Sequence, residues 1–218
     1  MLTIALPKGK LFKPAKNLLE AAELTTDVLK EDSRKLIFED LKEQLRFIIC
    51  RPTDIPTFVD YGAADLGMVG KDTLVEQGKD VSELVDLKFG PCRFVVAAPI
   101  ERFEQEPELS RYNYCRVATK FPRVARNFFE DRGMQVEIIK LHGNIELAPT
   151  VGLSELIVDI VSTGKTLKEN NLVSIAEMFQ STSRLIANRA SHRMKYDRIQ
   201  PLVVKIREVM GAGGISDD

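Results

Sequence analysis

The chain has few of the residues on which nucleophilic and metal-based chemistry usually depends. Only two of its 218 residues, His142 and His192, are histidines, so a catalytic triad or a histidine-rich metal site has little to draw on. The three cysteines, Cys50, Cys92 and Cys115, are widely spaced and form no Cys-x-x-Cys pair. This spacing argues against a disulfide framework and against structural zinc. We therefore expect free thiols in a reducing compartment and no metal held by protein ligands.

The sequence also lacks an excess of either charge and any long apolar run. Lys and Arg number 31 against 32 Asp and Glu, whereas a general nucleic-acid binder carries a basic excess. The apolar start at residues 1–7 is too short for a signal peptide, and no run approaches the roughly 20 residues of a membrane span. We expect a cytoplasmic protein without nucleic-acid or membrane partners, in which local anion sites can still form.

Short apolar strands alternate with amphipathic helices along most of the chain, which is typical of an α/β fold. Strands are expected at residues 2–6, 35–38, 45–50, 65–69, 116–119 and 135–141. Helices are expected to start near Leu11 and near the possible caps Thr53 and Asp72, and to cover 122–132. Near the C-terminus, apolar residues recur at helical spacing, and Pro201 is expected to kink or restart that helix.

A Gly-Pro break at residues 90–91 suggests that the chain crosses there into a second lobe. An extended stretch at about 173–188 could return it to the first. We therefore expect a first lobe of residues 1–90 plus 180–210, a second lobe of residues 91–179, and a flexible tail at 211–218.

The most informative stretch is Glu-Leu-Ile-Val-Asp-Ile-Val-Ser-Thr-Gly-Lys-Thr at residues 155–166. Apolar neighbours on both sides of Asp159 predict a buried strand that brings this carboxylate to its C-terminal end. The following loop offers hydroxyls, a flexible glycine and free backbone N–H groups that suit a phosphate monoester; it consists of Ser162, Thr163, Gly164, Lys165 and Thr166. The carboxylate can accept hydrogen bonds from sugar hydroxyls, so the stretch predicts a phosphorylated sugar as ligand.

Two other interpretations of this stretch must be weighed. Its last three residues match the end of a nucleoside-triphosphatase loop, but that motif needs a glycine where this chain has Asp159, so the match fails. An ordinary strand followed by a polar turn is the remaining alternative.

Further polar residues cluster at predicted strand ends, where open α/β sheets bind ligands. Lys8 and Lys10 lie in the loop between the first strand and first helix, Arg34 precedes a strand, and Arg51 follows one. Each could bind an anion or could be an ordinary surface residue.

The sequence allows two roles for each of two further segments. Gly67 and Gly70, before Asp72, allow either a backbone-lined slot for a planar base or close helix–strand packing. Glu146, at the start of a short predicted helix, either interacts with the helix dipole or faces a binding site.

Taken together, these segments resemble the short form of ATP phosphoribosyltransferase. The resemblance runs from about Leu2 to Val209 and rests on six ordered motifs: Leu6-Pro7-Lys8-Gly9-Lys10, Ser33-Arg34-Lys35-Leu36, Arg51-Pro52-Thr53-Asp54-Ile55-Pro56, the segment Gly62–Asp72, Glu146-Leu147-Ala148-Pro149 and Asp159–Thr166. Three positions differ from the usual family pattern. This chain has Lys10 where the family usually has Arg, Glu155 where it has Asp, and Asn144 where it has Ser.

The resemblance implies two lobes with mixed sheets flanked by helices, like type II periplasmic binding proteins, and an active site in the cleft between them. It implies transfer of the 5-phosphoribosyl group of phosphoribosyl pyrophosphate to N1 of ATP, with pyrophosphate released and Mg²⁺ carried on the substrate phosphates. Residues Ser162–Thr166 would hold the 5-phosphate, and Asp159 and Glu146 the ribose hydroxyls.

The same resemblance assigns the remaining candidates. The pyrophosphate and triphosphate charges would be met by Lys8, Lys10, Arg34 and Arg51, and Asp72 joins the substrate-binding residues. Arg34 and Lys10 are the catalytic candidates, and the planar guanidinium of Arg34 suits the oxygens of a departing phosphate. No covalent nucleophile is needed if the transition state is oxocarbenium-like.

With 218 residues, the chain is expected to lack the regulatory domain of the long form. It would then form a homodimer within a hetero-octamer that also contains a regulatory subunit resembling histidyl-tRNA synthetase.

Two alternative functions remain. One is a purine or pyrimidine salvage phosphoribosyltransferase, which usually has two adjacent acidic residues where this chain has Asp159 alone. The other is a non-catalytic ligand-binding module with the same two lobes.

Overall fold

The structure, a computed structural model, describes residues 1–24, 26–29 and 34–212. Ser33 of the second motif and residues 213–218 of the expected tail lie outside these ranges. Over the described ranges, no helix is both long enough and apolar enough to cross a bilayer.

Strands and helices alternate through the described residues. In chain order, these elements are β1 (Leu2–Pro7), α1 (Phe12–Ala21), β2 (Ile37–Asp40), β3 (Leu45–Cys50), α2 (Ile55–Asp60), β4 (Leu66–Gly70), α3 (Lys71–Gln77), β5 (Val81–Asp86), β6 (Cys92–Pro99), α4 (Ile100–Gln105), β7 (Arg116–Thr119), α5 (Pro122–Glu130), β8 (Glu137–Lys140), α6 (Leu147–Thr150), β9 (Leu156–Val161), α7 (Lys165–Glu169), β10 (Leu172–Ser181), β11 (Ser183–Asn188), α8 (Arg189–Met194) and α9 (Tyr196–Gly211). Short 3-10 turns cover Pro52–Asp54 and Leu109–Tyr112.

The chain divides into two compact units, one formed by Met1–Gly90 with the chain from Thr182 onward, the other by Pro91–Ser181. The first unit contains a sheet in the order β2-β3-β1-β4-β11-β5. Strand β1 is parallel to both β3 and β4, whereas β2 and β11 run antiparallel to their neighbours. The central strands β1 and β4 are buried at every position, as expected for parallel strands covered on both faces.

The second unit contains a sheet in the order β10-β6-β9-β7-β8. Strands β7, β8 and β9 are parallel, and β6 runs antiparallel to both of its neighbours, β9 and β10. Buried apolar residues from β6, β7 and β9 meet residues of α6 and α7 in one core. The carboxyl ends of three parallel strands therefore lie at one edge of this sheet.

Most of the predicted elements are present, but several details were wrong. Neither Thr53 nor Asp72 caps a helix: Thr53 lies in a 3-10 turn, and α3 begins after Gly70 without a side-chain cap. Strand β5 was missed because its residues are mostly half-exposed and give no clear apolar alternation. Helix α9 runs without a break through Pro201, so the expected restart is wrong.

Gly67→Ala should lower the free energy of unfolding by about 1–3 kcal/mol. A Cβ at Gly67 would lie 2.7 Å from Ile55 Cγ2 and 2.8 Å from Val59 Cγ2, on the helix that covers β4. Urea unfolding followed by circular dichroism measures the change. Gly143→Ala is the matched control, because its Cβ meets nothing within 4 Å. Equal stability of the two variants would contradict the close packing at Gly67.

Candidate active site

Strand β9 places the Asp159 carboxylate at the carboxyl edge of the second unit's sheet. The strand is anchored in the core on both sides of this residue, since Val158 and Val161 are buried. Its start is tied to β7 by Glu155, which accepts hydrogen bonds from the Arg116 backbone N–H at 2.7 Å and from Arg116 Nη2 at 2.6 Å. Glu155, one of the three positions that differ from the usual pattern, therefore binds Arg116 and links β9 to β7.

Residues from two separate segments line a small pocket beside Asp159. Its volume is about 130 Å³. Glu146 contributes from the start of α6, and all five residues of the predicted phosphate loop contribute from the end of β9: Ser162, Thr163, Gly164, Lys165 and Thr166. The structure thus brings together every site residue predicted for this unit.

Gly164 makes the loop conformation possible. Its φ of 78° is in the left-handed region, where any other residue would be strained, and it begins α7 directly. The Thr163 hydroxyl accepts a long hydrogen bond of 3.5 Å from the Lys165 N–H. Leu167, one turn into α7, is buried in the core and anchors the far end of the loop. Both ends of the loop are fixed while its hydroxyls stay exposed.

The Asp159 carboxylate is half-buried in a site that disfavours its charge. Burial raises its pKa above the ordinary value of 3.8, and the nearby Glu146 carboxylate adds to the increase. The Ile160 N–H, 2.9 Å from Asp159 Oδ1, and the charge of Lys120 act in the opposite direction. A ligand that donates hydrogen bonds to this carboxylate would therefore replace solvation that folding removes.

Glu146 lies at the N-cap of α6 but makes no capping hydrogen bond there. Its side chain instead lines the pocket, so the interpretation that it faces a binding site is the one the geometry favours. The preceding Asn144 has a φ of 48°, which Asn tolerates better than most residues.

In the first unit, Lys8 and Arg51 follow neighbouring parallel strands. Pro7 of β1 pairs with Cys50 of β3, and the Lys8 N–H donates to the Cys50 carbonyl at 2.8 Å. Both cationic residues are exposed. The two residues therefore lie side by side at the carboxyl edge of this sheet.

The other candidates of the first unit lie at the same edge. Arg34 precedes β2, and the start of β2 lies at the carboxyl end of β3 because the two strands are antiparallel. Lys10 lies in the turn before α1, and Asp72 lies in the first turn of α3, directly after β4. The close packing of Gly67 on α2 leaves no slot for a planar base at that residue. A Cβ at Gly70 would collide with the Asp72 carboxylate.

None of the three cysteines forms a disulfide, and neither Cys50 nor Cys115 is an activated nucleophile. Burial, reinforced by the Asp54 charge, raises the pKa of Cys50 to about 11, and burial likewise raises that of Cys115 to about 11. Within the part of the chain that the structure describes, no three His, Cys, Asp or Glu side chains gather closely enough to hold a metal ion.

Sequence reasoning missed one cation near the pocket, Lys120. It follows β7, the neighbour of β9, and Thr119 pairs with Val158. Lys120 therefore comes next to Asp159 across the two strands. The signal was present in the sequence, because the strand at 116–119 was predicted and Lys120 is the residue after it.

Comparison with known proteins gives a consistent result. A family model described as ATP phosphoribosyltransferase matches residues 51–208. The ATP phosphoribosyltransferase of Moorella thermoacetica is 60% identical, over 98% of this chain and 95% of that protein. A chain of the solved ATP phosphoribosyl transferase (HisG:HisZ) complex from Thermotoga maritima has a TM-score of 0.82 at 34% identity, covering 97% of this chain and all of that chain.

A more distant structure supports the fold alone. A histidine kinase sensor domain with similarity to periplasmic binding proteins has a TM-score of 0.58 at 10% identity, covering 98% of this chain and 91% of that one. The predicted fold class, mixed sheets flanked by helices in a periplasmic-binding-protein-like arrangement, is confirmed.

Fold and family match together define an α/β transferase with a periplasmic-binding-protein-like fold. The chain belongs to the ATP phosphoribosyltransferase family, whose members catalyse the first step of histidine biosynthesis. The predicted family, its short form and the predicted reaction with phosphoribosyl pyrophosphate and ATP are confirmed. The salvage enzyme and the non-catalytic binding module are thereby set aside.

Proposed function

We propose that the pocket beside Asp159 binds the ribose 5-phosphate portion of phosphoribosyl pyrophosphate. The observation that carries this proposal is the shared lining of one 130 Å³ pocket by two carboxylates and the hydroxyl-rich loop. The backbone N–H groups and hydroxyls of Ser162–Thr166 hold the 5-phosphate. Asp159 and Glu146 accept hydrogen bonds from the ribose hydroxyls and fix the orientation of C1.

The exposed cations of the first unit are proposed to serve the remaining phosphates. Arg34 and Lys10 stabilise the charge that develops on departing pyrophosphate, and Lys8 and Arg51 bind pyrophosphate or triphosphate oxygens. These residues all lie at the carboxyl edge of the sheet, and this shared position supports the assignment. Asp72 lies at the same edge and is proposed as a further substrate-binding residue. Mg²⁺ enters with the substrate phosphates, consistent with the preference of this ion for phosphate and water oxygens.

The chemistry follows from these contacts. Orienting C1 of ribose toward N1 of ATP makes the transfer effectively unimolecular. Charge at the guanidinium and ammonium groups then lowers the barrier by stabilising the leaving group as its negative charge grows. No side chain needs to form a covalent bond to the substrate.

The assembly is proposed to follow that of the Thermotoga relative, whose solved structure is a HisG:HisZ complex. This chain would form homodimers and combine with a regulatory subunit resembling histidyl-tRNA synthetase into a hetero-octamer. The compact units are the proposed functional lobes, with boundaries near residues 90 and 180. Light scattering of the mixed subunits would give the mass of the assembly directly.

Thr163→Ala with Thr166→Ala should weaken phosphoribosyl pyrophosphate binding about 100-fold. A hydrogen bond to a charged group contributes about 1.5 kcal/mol or more, and two such losses amount to roughly a hundredfold change in Kd. Isothermal titration calorimetry with Mg²⁺ present measures the affinity. Thr150→Ala, an exposed threonine outside the pocket lining, is the matched control. Unchanged affinity in the double variant would place the 5-phosphate elsewhere.

A further inference from the structure

The proposed donor pocket is short of positive charge. Its lining contains two carboxylates, Glu146 and Asp159, against a single ammonium group, that of Lys165. Lys165 is 79% exposed, and its Nζ lies 3.8 Å from Glu169 Oε1, so part of its charge is already compensated. A donor with three phosphate groups therefore needs at least one more cation near this pocket.

Lys120 is placed to supply that cation. Thr119 of β7 pairs with Val158 of β9, and paired residues of neighbouring strands point to the same face of a sheet. The next position on each strand brings Lys120 beside Asp159. Lys120 is exposed, and its charge acts on the Asp159 carboxylate.

The loop that carries Lys120 is fixed by its neighbours. The Thr119 hydroxyl accepts a 2.9 Å hydrogen bond from the Phe121 N–H, which closes a tight turn around Lys120. The Phe121 ring packs edge-on against Phe94 of β6, with centroids 4.8 Å apart. The backbone of Lys120 is thus held in place while its long side chain stays free to reach a ligand.

Lys120 and the phosphate loop flank Asp159 from opposite sides. The loop leads into α7, which packs against β10, on the β6 and β10 side of β9 in the sheet order. Lys120 comes from β7, on the other side. If the 5-phosphate occupies the loop and the ribose hydroxyls contact Asp159, the C1 end of the ribose points toward β7.

We infer that Lys120 is a further donor-binding residue, whose ammonium group contacts the pyrophosphate attached to C1. The inference rests on the proposed assignment of the 5-phosphate to Ser162–Thr166. The charge of the same ammonium group also acts on the Asp159 carboxylate. On binding, it exchanges that carboxylate for pyrophosphate oxygens, while Asp159 turns to the ribose hydroxyls.

The test compares two ligands that differ only in the pyrophosphate. Lys120→Gln should weaken binding of phosphoribosyl pyrophosphate about 10- to 100-fold in calorimetry at about pH 8. Binding of ribose 5-phosphate, which lacks the pyrophosphate, should stay within about twofold. Lys120→Arg should restore most of the lost affinity. Lys140→Gln, an equal change of charge at the exposed end of β8 one strand further from Asp159, is the matched control.

Each other outcome overturns the inference in a recognisable way. Equal weakening of both ligands would mean that Lys120 acts only through Asp159. If Lys120→Gln changed the affinity for phosphoribosyl pyrophosphate no more than Lys140→Gln does, Lys120 would not contact the donor. The Thr163→Ala, Thr166→Ala variant is measured alongside. If this double variant loses affinity and Lys120→Gln does not, the assignment of the 5-phosphate to the loop is supported and the Lys120 contact is wrong. If neither variant loses affinity, the assignment of the 5-phosphate to the loop is itself wrong.

A pH profile gives a second readout, one that a merely structural role would not move. The charges acting on Asp159 are Lys120 from β7 and Glu146 from the start of α6; its partner on β6, Val95, is uncharged. Removing Lys120 leaves the pKa of Asp159 higher. Donor binding by Lys120→Gln should therefore fail at a higher pH than wild type as the solution is acidified. An unshifted profile would mean that Lys120 does not lie beside Asp159, and this would remove the placement on which the inference rests.

Discussion

Asp159→Asn is expected to lower kcat/KM for phosphoribosyl pyrophosphate about 100-fold or more. Under the proposed assignment, this carboxylate accepts hydrogen bonds from ribose hydroxyls, and each such bond to a charged acceptor contributes about 1.5–3 kcal/mol. An amide also presents a donor where the hydroxyls need an acceptor. The assay is formation of phosphoribosyl-ATP with the regulatory partner present. Asp131→Asn, an exposed residue of the same unit, is the control, and near-normal kcat/KM in Asp159→Asn would contradict the assignment.

The same substitution should leave the protein slightly more stable at neutral pH. The pKa of Asp159 is raised by burial in the folded state, so the ionised carboxylate costs folding free energy once the pH rises through that value. Asparagine carries no charge and avoids the cost. A rise in Tm is expected near pH 7, and it should shrink as the pH falls and Asp159 becomes protonated. A lower Tm would mean that lost activity reflects damage to the fold.

Asp65→Asn is expected to cost about 2–3 kcal/mol of stability near pH 7. The Asp65 carboxylate, 5% exposed, accepts hydrogen bonds from Lys195 Nζ at 2.7 and 2.8 Å and from the Thr3 N–H at 2.8 Å. Breaking a buried ion pair costs about 3–5 kcal/mol, but Lys195 is 37% exposed and keeps part of its hydration. Asp80→Asn, which breaks an exposed pair with Arg189, should cost about 0.5 kcal/mol or less.

The effect of Asp65→Asn should depend on pH. Burial alone would raise the pKa of Asp65, but the hydrogen bonds from Lys195, Ser191 and the Thr3 N–H, together with the Lys195 charge, hold it below its ordinary value of 3.8. Its stabilising contribution is therefore complete above the unfolded pKa and is lost as the pH falls through the folded one. Urea unfolding at about pH 7 and about pH 3.5 should show the gap narrowing. A constant gap would assign the cost to altered packing.

Local patterns in the sequence predicted the parts of the fold that local physics determines. The bounds of β3 and β7 agree with their predicted ranges. Convergence of Lys8 and Arg51 could be expected, since carboxyl ends of parallel strands share an edge. Asp159 and its loop could be placed in a single site because they are contiguous in the chain.

Interactions between distant parts of the chain were not predictable in this way. Asp65 and Lys195 are 130 residues apart, and nothing in either local sequence indicates the other. The role of Gly67 was left open between a base slot and close packing until Ile55 and Val59 were placed against it. Lys120 was overlooked for a different reason: a lone charged residue after a strand is most often only exposed.

A crystal structure of the chain with phosphoribosyl pyrophosphate and Mg²⁺ tests the central claim most directly. The proposal predicts the 5-phosphate within hydrogen-bond distance of the Thr163 and Thr166 hydroxyls, the ribose hydroxyls on Asp159, and the pyrophosphate on the β7 side. Density for the donor at another site, with the loop and Asp159 free of contacts to it, would contradict the proposal.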